Sequence, residues 1–124
     1  MSEIVLSINP EYAERIIAGT KTYEFRTRVA KDNVDRIAIY CTYPIMKVVA
    51  EAEVKGILAL PPKDLWKKTK QYAGISKIKF FRYFKGRKVA YAYELGKVSA
   101  YPKPKDLIEF GCNRAPQSFA YVKP

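Results

Sequence analysis

The sequence predicts an α+β, mostly β domain: a small mixed β-barrel of five to six strands with about three helices packed around it. Three observations carry this. Residues 20–29 and 47–60 alternate apolar and polar side chains with the period of two that a half-exposed strand requires. The segments between such strands show helical spacing and end at glycines. The inner face of 47–60 is built from Val48, Ala50, Ala52 and Val54, small residues that suit a tightly curved sheet. With 124 residues and no linker or repeat, one domain over 1–124 is expected.

Ile4–Ile8 reads as a short buried strand. Asn9-Pro10-Glu11 then opens a helix, with Asn as cap, Pro at the first helical position and an acid at the positive end of the dipole. Tyr12, Ala13, Ile16 and Ile17 form its apolar face, and Gly19 ends it. Residues 20–29 and Arg36–Thr42 follow as strands, the second with Ile37, Ile39 and Cys41 inward. In the long strand Lys47–Leu60, Glu51, Glu53 and Lys55 point outward and Gly56 marks a bend or bulge. Pro61-Pro62 starts a helix predicted to reach Ala73, and Ser76 caps another carrying Phe80, Phe81 and Phe84. Lys88–Tyr101 returns to strand with Val89, Tyr91, Tyr93 and Leu95 in phase and an interruption near Gly96. Residues 102–116 read as irregular, and Ser118–Val122 as a short closing strand.

Composition removes several chemistries. Without histidine there is no Ser-His-Asp triad, no Cys-His pair and no His-ligated zinc. Cys41 and Cys112 are too few for a thiolate zinc site and are expected as reduced thiols. Carboxylate, Lys, Tyr, Ser or Thr chemistry, a Mg-type ion held by oxygens, or binding without chemistry remains; among these, no metal and no cofactor is the expectation. No apolar run long enough to span a membrane exists, and Met1-Ser2-Glu3 opens no secretory signal, so a soluble cytoplasmic protein is the expectation.

The charge is unevenly placed. Lys plus Arg number 23 against 12 Asp plus Glu, a net +11. Residues 1–62 are neutral, with eight basic and eight acidic residues, whereas 63–88 hold ten basic residues and only Asp64. That asymmetry points to a polyanion-binding surface, the alternative being a solvated lysine-rich face that keeps a small protein soluble. Lys67, Lys68, Lys70, Lys77, Lys79, Arg82 and Arg87 are the expected phosphate-contacting set, together with Lys85 and Lys88. The interleaved Trp66, Phe80, Phe81 and Phe84 have core spacing.

Gly19-Thr20-Lys21-Thr22-Tyr23-Glu24-Phe25-Arg26 reads G-x-K-x-x-E-x-R between a capped helix and a strand. This closely resembles the signature of the ASCH domain family, whose fold is a PUA-like β-barrel. The similarity extends through Leu6–Ala13 and Ile16 upstream and through Arg114-Ala115-Pro116-Gln117-Ser118-Phe119 downstream, so it covers essentially the whole chain. The resemblance implies an RNA-binding module with a nucleotide-recognition cleft beside the motif. It also brings an enzymatic alternative, because one group of stand-alone members hydrolyses N4-acetylcytidine and a ribonuclease activity belongs to another member. In those amidohydrolases the motif lysine is the base, a threonine the nucleophile and a downstream glutamate the proton donor. Lys21 matches the lysine, Glu24 stands where the threonine would be, and Glu51 or Glu53 is a candidate for the downstream glutamate.

Lys21, Glu24 and Arg26 suit an anion and base-edge reader: Arg forks onto phosphate, Lys adds a compact charge, and Glu accepts from an exocyclic amino group. The competing expectation is a Glu24–Arg26 salt bridge on the barrel wall. Strict alternation puts Lys21 on the side opposite Glu24, so the two converge only if regular strand begins after Lys21. Glu51 and Glu53 are expected either to join Glu24 in a carboxylate cluster or to pair with neighbouring cations. Tyr40 and Tyr43 are candidates for base stacking, with burial against the barrel as the alternative. Arg114, Gln117 and Ser118 are candidates for contacts at the cleft, with a structural closing strand as the alternative for the last two. For an enzyme, the catalytic set is Lys21, Glu24 and Glu51. The expected partner is RNA or a modified nucleotide, with single-stranded DNA next, for a monomer or weak dimer. The third alternative is an adaptor for an acidic protein.

Overall fold

Strand β1 (Ser2–Ile8) leads into helix α1 (Pro10–Ala18), and the computed structural model describes residues 2–30 and 33–122. Lys31, counted above among the basic residues, lies outside them. The cap of α1 differs in detail from expectation. The Asn9 side chain makes no capping hydrogen bond; its Oδ1 accepts from Thr42 Oγ1 at 3.4 Å, while Pro10 and Glu11 hold the first turn as read. Gly19 ends the helix at φ +86°, where its N–H donates to the carbonyl of Ile16 at 3.2 Å.

Strand β2 spans only Tyr23–Arg26, shorter than the 20–29 expected, and β3 is Val34–Cys41. The 14-residue strand β4 runs Lys47–Leu60, as its alternation predicts. Helix α2 (Pro62–Thr69) stops short of Ala73 and tightens into a 3-10 turn over Lys70–Tyr72. Helix α3 (Lys77–Tyr83) is capped by Ser76, whose Oγ accepts from the Lys79 N–H at 3.2 Å. Ser76→Ala is expected to cost about 1 kcal/mol in chemical denaturation; no loss of stability would mean the cap is dispensable.

Strand β5 runs from Ala90 to Lys105, through Gly96 and well past Tyr101. Its prolines fit because the ladder with β4 passes from Ala50–Ala100 to Val48–Lys105, so four residues including Pro102 and Pro104 bulge opposite one. The interruption expected near Gly96 is present as a register shift, in which Gly96 and Lys97 stand opposite Glu53 alone, and a second shift falls between Val54 and Gly56. Val89 is exposed, and Ala90 and Ala92 take the buried places in that stretch. A 3-10 turn (Leu107–Phe110) with an Asp106–Glu109 capping box precedes β6 (Phe119–Tyr121).

The six strands form one curled sheet in the order β2-β5-β4-β3-β1-β6, antiparallel except for β1 beside β3. One core layer joins Ile4, Leu6, Ile16, Ile37, Ile39, Tyr93 and Leu95; a second joins Phe25, Leu65, Phe80, Phe84 and Ala92 beneath α2 and α3. Trp66 and Phe81 pack on that second layer, as their spacing predicts. A third layer holds Val5, Ala38, Tyr40, Val48 and Phe110 on the opposite side. Both cysteines are free and buried. No helix among the described residues is long and apolar enough to cross a membrane.

Candidate functional site

Strands β2 and β6 are the two edges of the sheet, and side chains rather than a backbone ladder close the gap between them. Arg26, the last residue of β2, donates from Nη2 to the Ser7 carbonyl of β1 at 2.8 Å and from Nη1 to the Ser118 carbonyl at 3.5 Å. Its Nε and Nη2 also lie 3.1 and 3.0 Å from Glu24 Oε2. The salt bridge expected on the barrel wall is therefore present, and it sits at the seam. Ser7 Oγ donates to the Pro116 carbonyl at 2.8 Å and fixes the loop before β6.

Lys21 reaches the same place because regular strand starts only at Tyr23. The side chain is 3% exposed. Its Nζ donates to the Ala73 carbonyl at 2.7 Å and lies 4.7 and 5.4 Å from the ring centroids of Phe25 and Tyr12. Burial lowers the Lys21 pKa to about 8; Glu24 opposes the shift, while Arg15 and Arg26 add to it.

A cavity of about 450 Å³ opens over this segment. Ser7, Ile8, Asn9 and Tyr12 form one wall, Lys21, Glu24, Phe25 and Arg26 the floor, and Ile75, Lys79, Arg82 and Tyr83 the side toward α3. The volume falls in the range of roughly 300–1,000 Å³ usual for small-ligand sites. Its lining is mixed: aromatic and aliphatic faces for an apolar ring, three cations beyond Lys21 for an anion, and one carboxylate. Lys79 Nζ is 4.0 Å from Glu11 Oε1 at the surface.

The predicted residues fall into three groups. Lys21, Glu24, Arg26, Lys79 and Arg82 share the cavity. Lys67, Lys68, Lys70, Lys77, Lys85, Arg87 and Lys88 are exposed on α2, α3 and their flanks, outside it but on the same arm of chain. Arg114 and Gln117 are exposed on the loop before β6, where Ser118 meets Arg26 through its main chain.

Two expectations need correction. Tyr40 is 5% exposed inside the third core layer, so it offers no face to a base, because β3 lies centrally and is covered on both sides. Tyr43 is exposed at the β3–β4 turn. Glu51 is 3.2 Å from Arg36 on the neighbouring strand and does not line the cavity; Glu53 is exposed and also lies outside it. The carboxylate cluster with Glu24 therefore does not form, and pairing with a cation prevails at Glu51. Among the described residues no group of three His, Cys, Asp or Glu is placed to hold a metal.

Ser7, Asn9, Tyr12, Ile75 and Tyr83 are cavity residues that the sequence assigns to other tasks or leaves unassigned. Tyr12 carried a signal as part of the apolar face of α1; Ile75 and Tyr83 carried none, because their place depends on how α3 docks.

Comparison with known proteins identifies the family and the fold. Residues 6–110 match the family model of the ASCH domain. The chain is 34% identical over 121 residues to ATP synthase subunit alpha of Ureaplasma parvum, covering 97% of this chain and 15% of that protein. It is 35% identical over 94 residues to an ASCH domain-containing ribonuclease of Zymomonas mobilis, covering 75% and 64%. It thus spans less than two thirds of the length of either relative. The crystal structure of ASCH from Zymomonas mobilis superposes with a TM-score of 0.89 at 30% identity, covering 98% of this chain and 87% of that one. A β-sheet curled around the Lys21–Arg26 segment, a family match over most of its length and a fold shared with a solved member lead to one conclusion: the chain belongs to the ASCH domain family.

Proposed function

We propose that this chain is an RNA-binding module that takes one nucleotide into the cavity over Lys21, Glu24 and Arg26 while flanking phosphates lie along the cationic α2–α3 arm. The observation that carries this reading is the continuity of charge. Lys79 and Arg82 line the cavity, and the arm that bears them holds ten basic residues against one acidic between 63 and 88. Tyr12 and Tyr83 line the cavity with aromatic rings, and bases of single-stranded RNA recognised in this way stack on aromatic side chains. The ribonuclease named among the relatives supports RNA as the polymer. Such a partner implies a cytoplasmic setting.

A second reading, RNA hydrolysis in the same cavity, is favoured by the state of Lys21. A lysine with pKa about 8 is neutral in a fraction of molecules near pH 7 and is suited to general-base work. The amidohydrolase form of this reading has no threonine at 24, so Lys21 and a cavity glutamate or tyrosine would carry it.

Fluorescence anisotropy with labelled single-stranded RNA over a range of salt, followed by chromatography of the same samples, separates these readings. Binding that weakens steeply with salt and leaves the RNA intact supports the module. Product formed by the wild type and not by Lys21→Ala moves hydrolysis to first place. Equal affinity for RNA and for an acidic peptide points to an adaptor, and binding to neither overturns the reading. Arg82→Ala is expected to weaken RNA binding about tenfold and to lower the salt slope by about 1, as for the loss of one phosphate contact. An unchanged slope would take Arg82 out of the interface.

A further inference from the structure

Besides packing Phe80 and Phe84 on Phe25, the α2–α3 arm meets Lys21 and Thr22 at the junction between the 3-10 turn and α3. Three hydrogen bonds converge there: Thr22 N–H to the Tyr72 carbonyl at 3.0 Å, Lys21 Nζ to the Ala73 carbonyl at 2.7 Å, and Arg15 Nη1 to the Gly74 carbonyl at 2.8 Å. Gly74 has φ +64° and lies flat on the lysine stem. A Cβ at 74 would stand 2.4, 2.6 and 2.8 Å from Cβ, Cγ and Cδ of Lys21. These atoms are at the root of the side chain, so they cannot swing aside without moving the amine.

We infer that Gly74 is a positioning residue for Lys21: the bare backbone of the Ala73–Gly74 junction lets the basic arm press the lysine into the cavity floor and gives its amine a carbonyl to hold. The arm that presents cations to a polyanion is thus also the clamp on the buried amine of the cavity. This functional consequence rests on the RNA-binding reading; the positioning itself does not.

The groups facing Lys21 are Glu24 and Arg26 from β2, Arg15 and Tyr12 from α1, and Lys79, Arg82 and Tyr83 from α3. Of these only Arg15 touches position 74, through the Gly74 main-chain carbonyl that any substitution keeps, so the environment of the lysine reports the clamp. Gly86 supplies the control. It also sits on the arm with a left-handed φ of +78°, but a Cβ there meets nothing within 4 Å. Gly86→Ala therefore carries the same backbone strain without the contact.

The test is an NMR titration of isotope-labelled lysine side chains in Gly74→Ala, Gly74→Asn and Gly86→Ala, with Asn included because it tolerates the left-handed region. The Lys21 midpoint is expected near 8 in the wild type and in Gly86→Ala, and to move toward 10.5 in the position-74 variants as the amine gains solvent. RNA affinity should fall about tenfold in the position-74 variants only. A folded position-74 variant with an unmoved midpoint overturns the inference. If neither position-74 variant folds, Lys21→Gly is added to Gly74→Ala. Restored folding upholds the contact, and failure of the double variant overturns it. If the wild type binds no RNA while the midpoint still moves, the functional reading falls and the positioning stands.

Discussion

Arg26→Ala is expected to destabilise the protein by about 3–5 kcal/mol, the usual cost of breaking a buried ion pair by removing one partner. The Arg26 and Glu24 side chains are 13% and 10% exposed, so little water replaces the lost guanidinium. Three consequences act together. Glu24 loses its hydrogen-bonded ion-pair partner, and the carbonyls of Ser7 and Ser118 each lose a charged donor. The seam between β2 and the β1–β6 side of the sheet also loses its side-chain closure. For a domain of this size the melting temperature should drop by on the order of 10–20 °C. Urea unfolding of Arg26→Ala, Glu24→Gln and the double variant gives the coupling. Glu24→Gln on the Arg26→Ala background should recover about 1–2 kcal/mol, because it removes the charge that has lost its partner. A loss below about 1 kcal/mol for Arg26→Ala would show that the seam is held by the strands alone.

Local rules were sufficient wherever the determinant is local. Pro10 and Gly19 bound α1, Ser76 caps α3, and the run of alternating residues in β4 gives both its ends. They failed where a distant element decides. No local pattern shows that β5 continues through Pro102 and Pro104, because the bulge that accommodates them exists only opposite β4. Alternation in β3 has no outward phase: Ile37 and Ile39 face one core while Ala38 and Tyr40 face another. That is why Tyr40 is packed away from ligand. Glu51 faces the third layer's side of the sheet and answers to Arg36, a pairing fixed by strand register and not by sequence spacing.

The cavity was legible in its motif and illegible in its far wall. Lys21, Glu24 and Arg26 lie within six residues, so one break in strand geometry decides whether they converge, and that break falls between Lys21 and Tyr23. Lys79 and Arg82 belong there because α3 docks through Phe80 and Phe84 on Phe25. Charge count places them on a basic arm; only packing places them over Lys21.

Lys21→Met should stabilise the folded protein at pH 7 while weakening whatever the cavity binds. The sign follows from the lysine's own titration. Its pKa is about 8 in the folded state against 10.5 as its ordinary value, so between these values the unfolded chain binds more protons. Stability contributed by Lys21 therefore rises with pH across that window, and below pH 8 the buried cation costs on the order of 3 kcal/mol. Methionine fills the stem's volume without the charge. It forfeits the hydrogen bond to the Ala73 carbonyl, worth about 1 kcal/mol, which leaves a net gain of about 2 kcal/mol at pH 7. The gain should shrink as pH rises from 8 toward 10.5 and vanish only well above it, where the wild-type lysine is neutral in both states. Cys41, Tyr93 and Tyr101 have pKa values raised by burial and pull stability down above about pH 9. They do so equally in both proteins, so the difference between wild type and Lys21→Met isolates the lysine. Unfolding in urea at several values between pH 7 and 10 measures that difference. If Lys21→Met were instead less stable at pH 7, the amine would belong to the architecture. A gain accompanied by loss of RNA binding would mark Lys21 as a residue kept in the cavity at the expense of stability, as a site requires and a core does not.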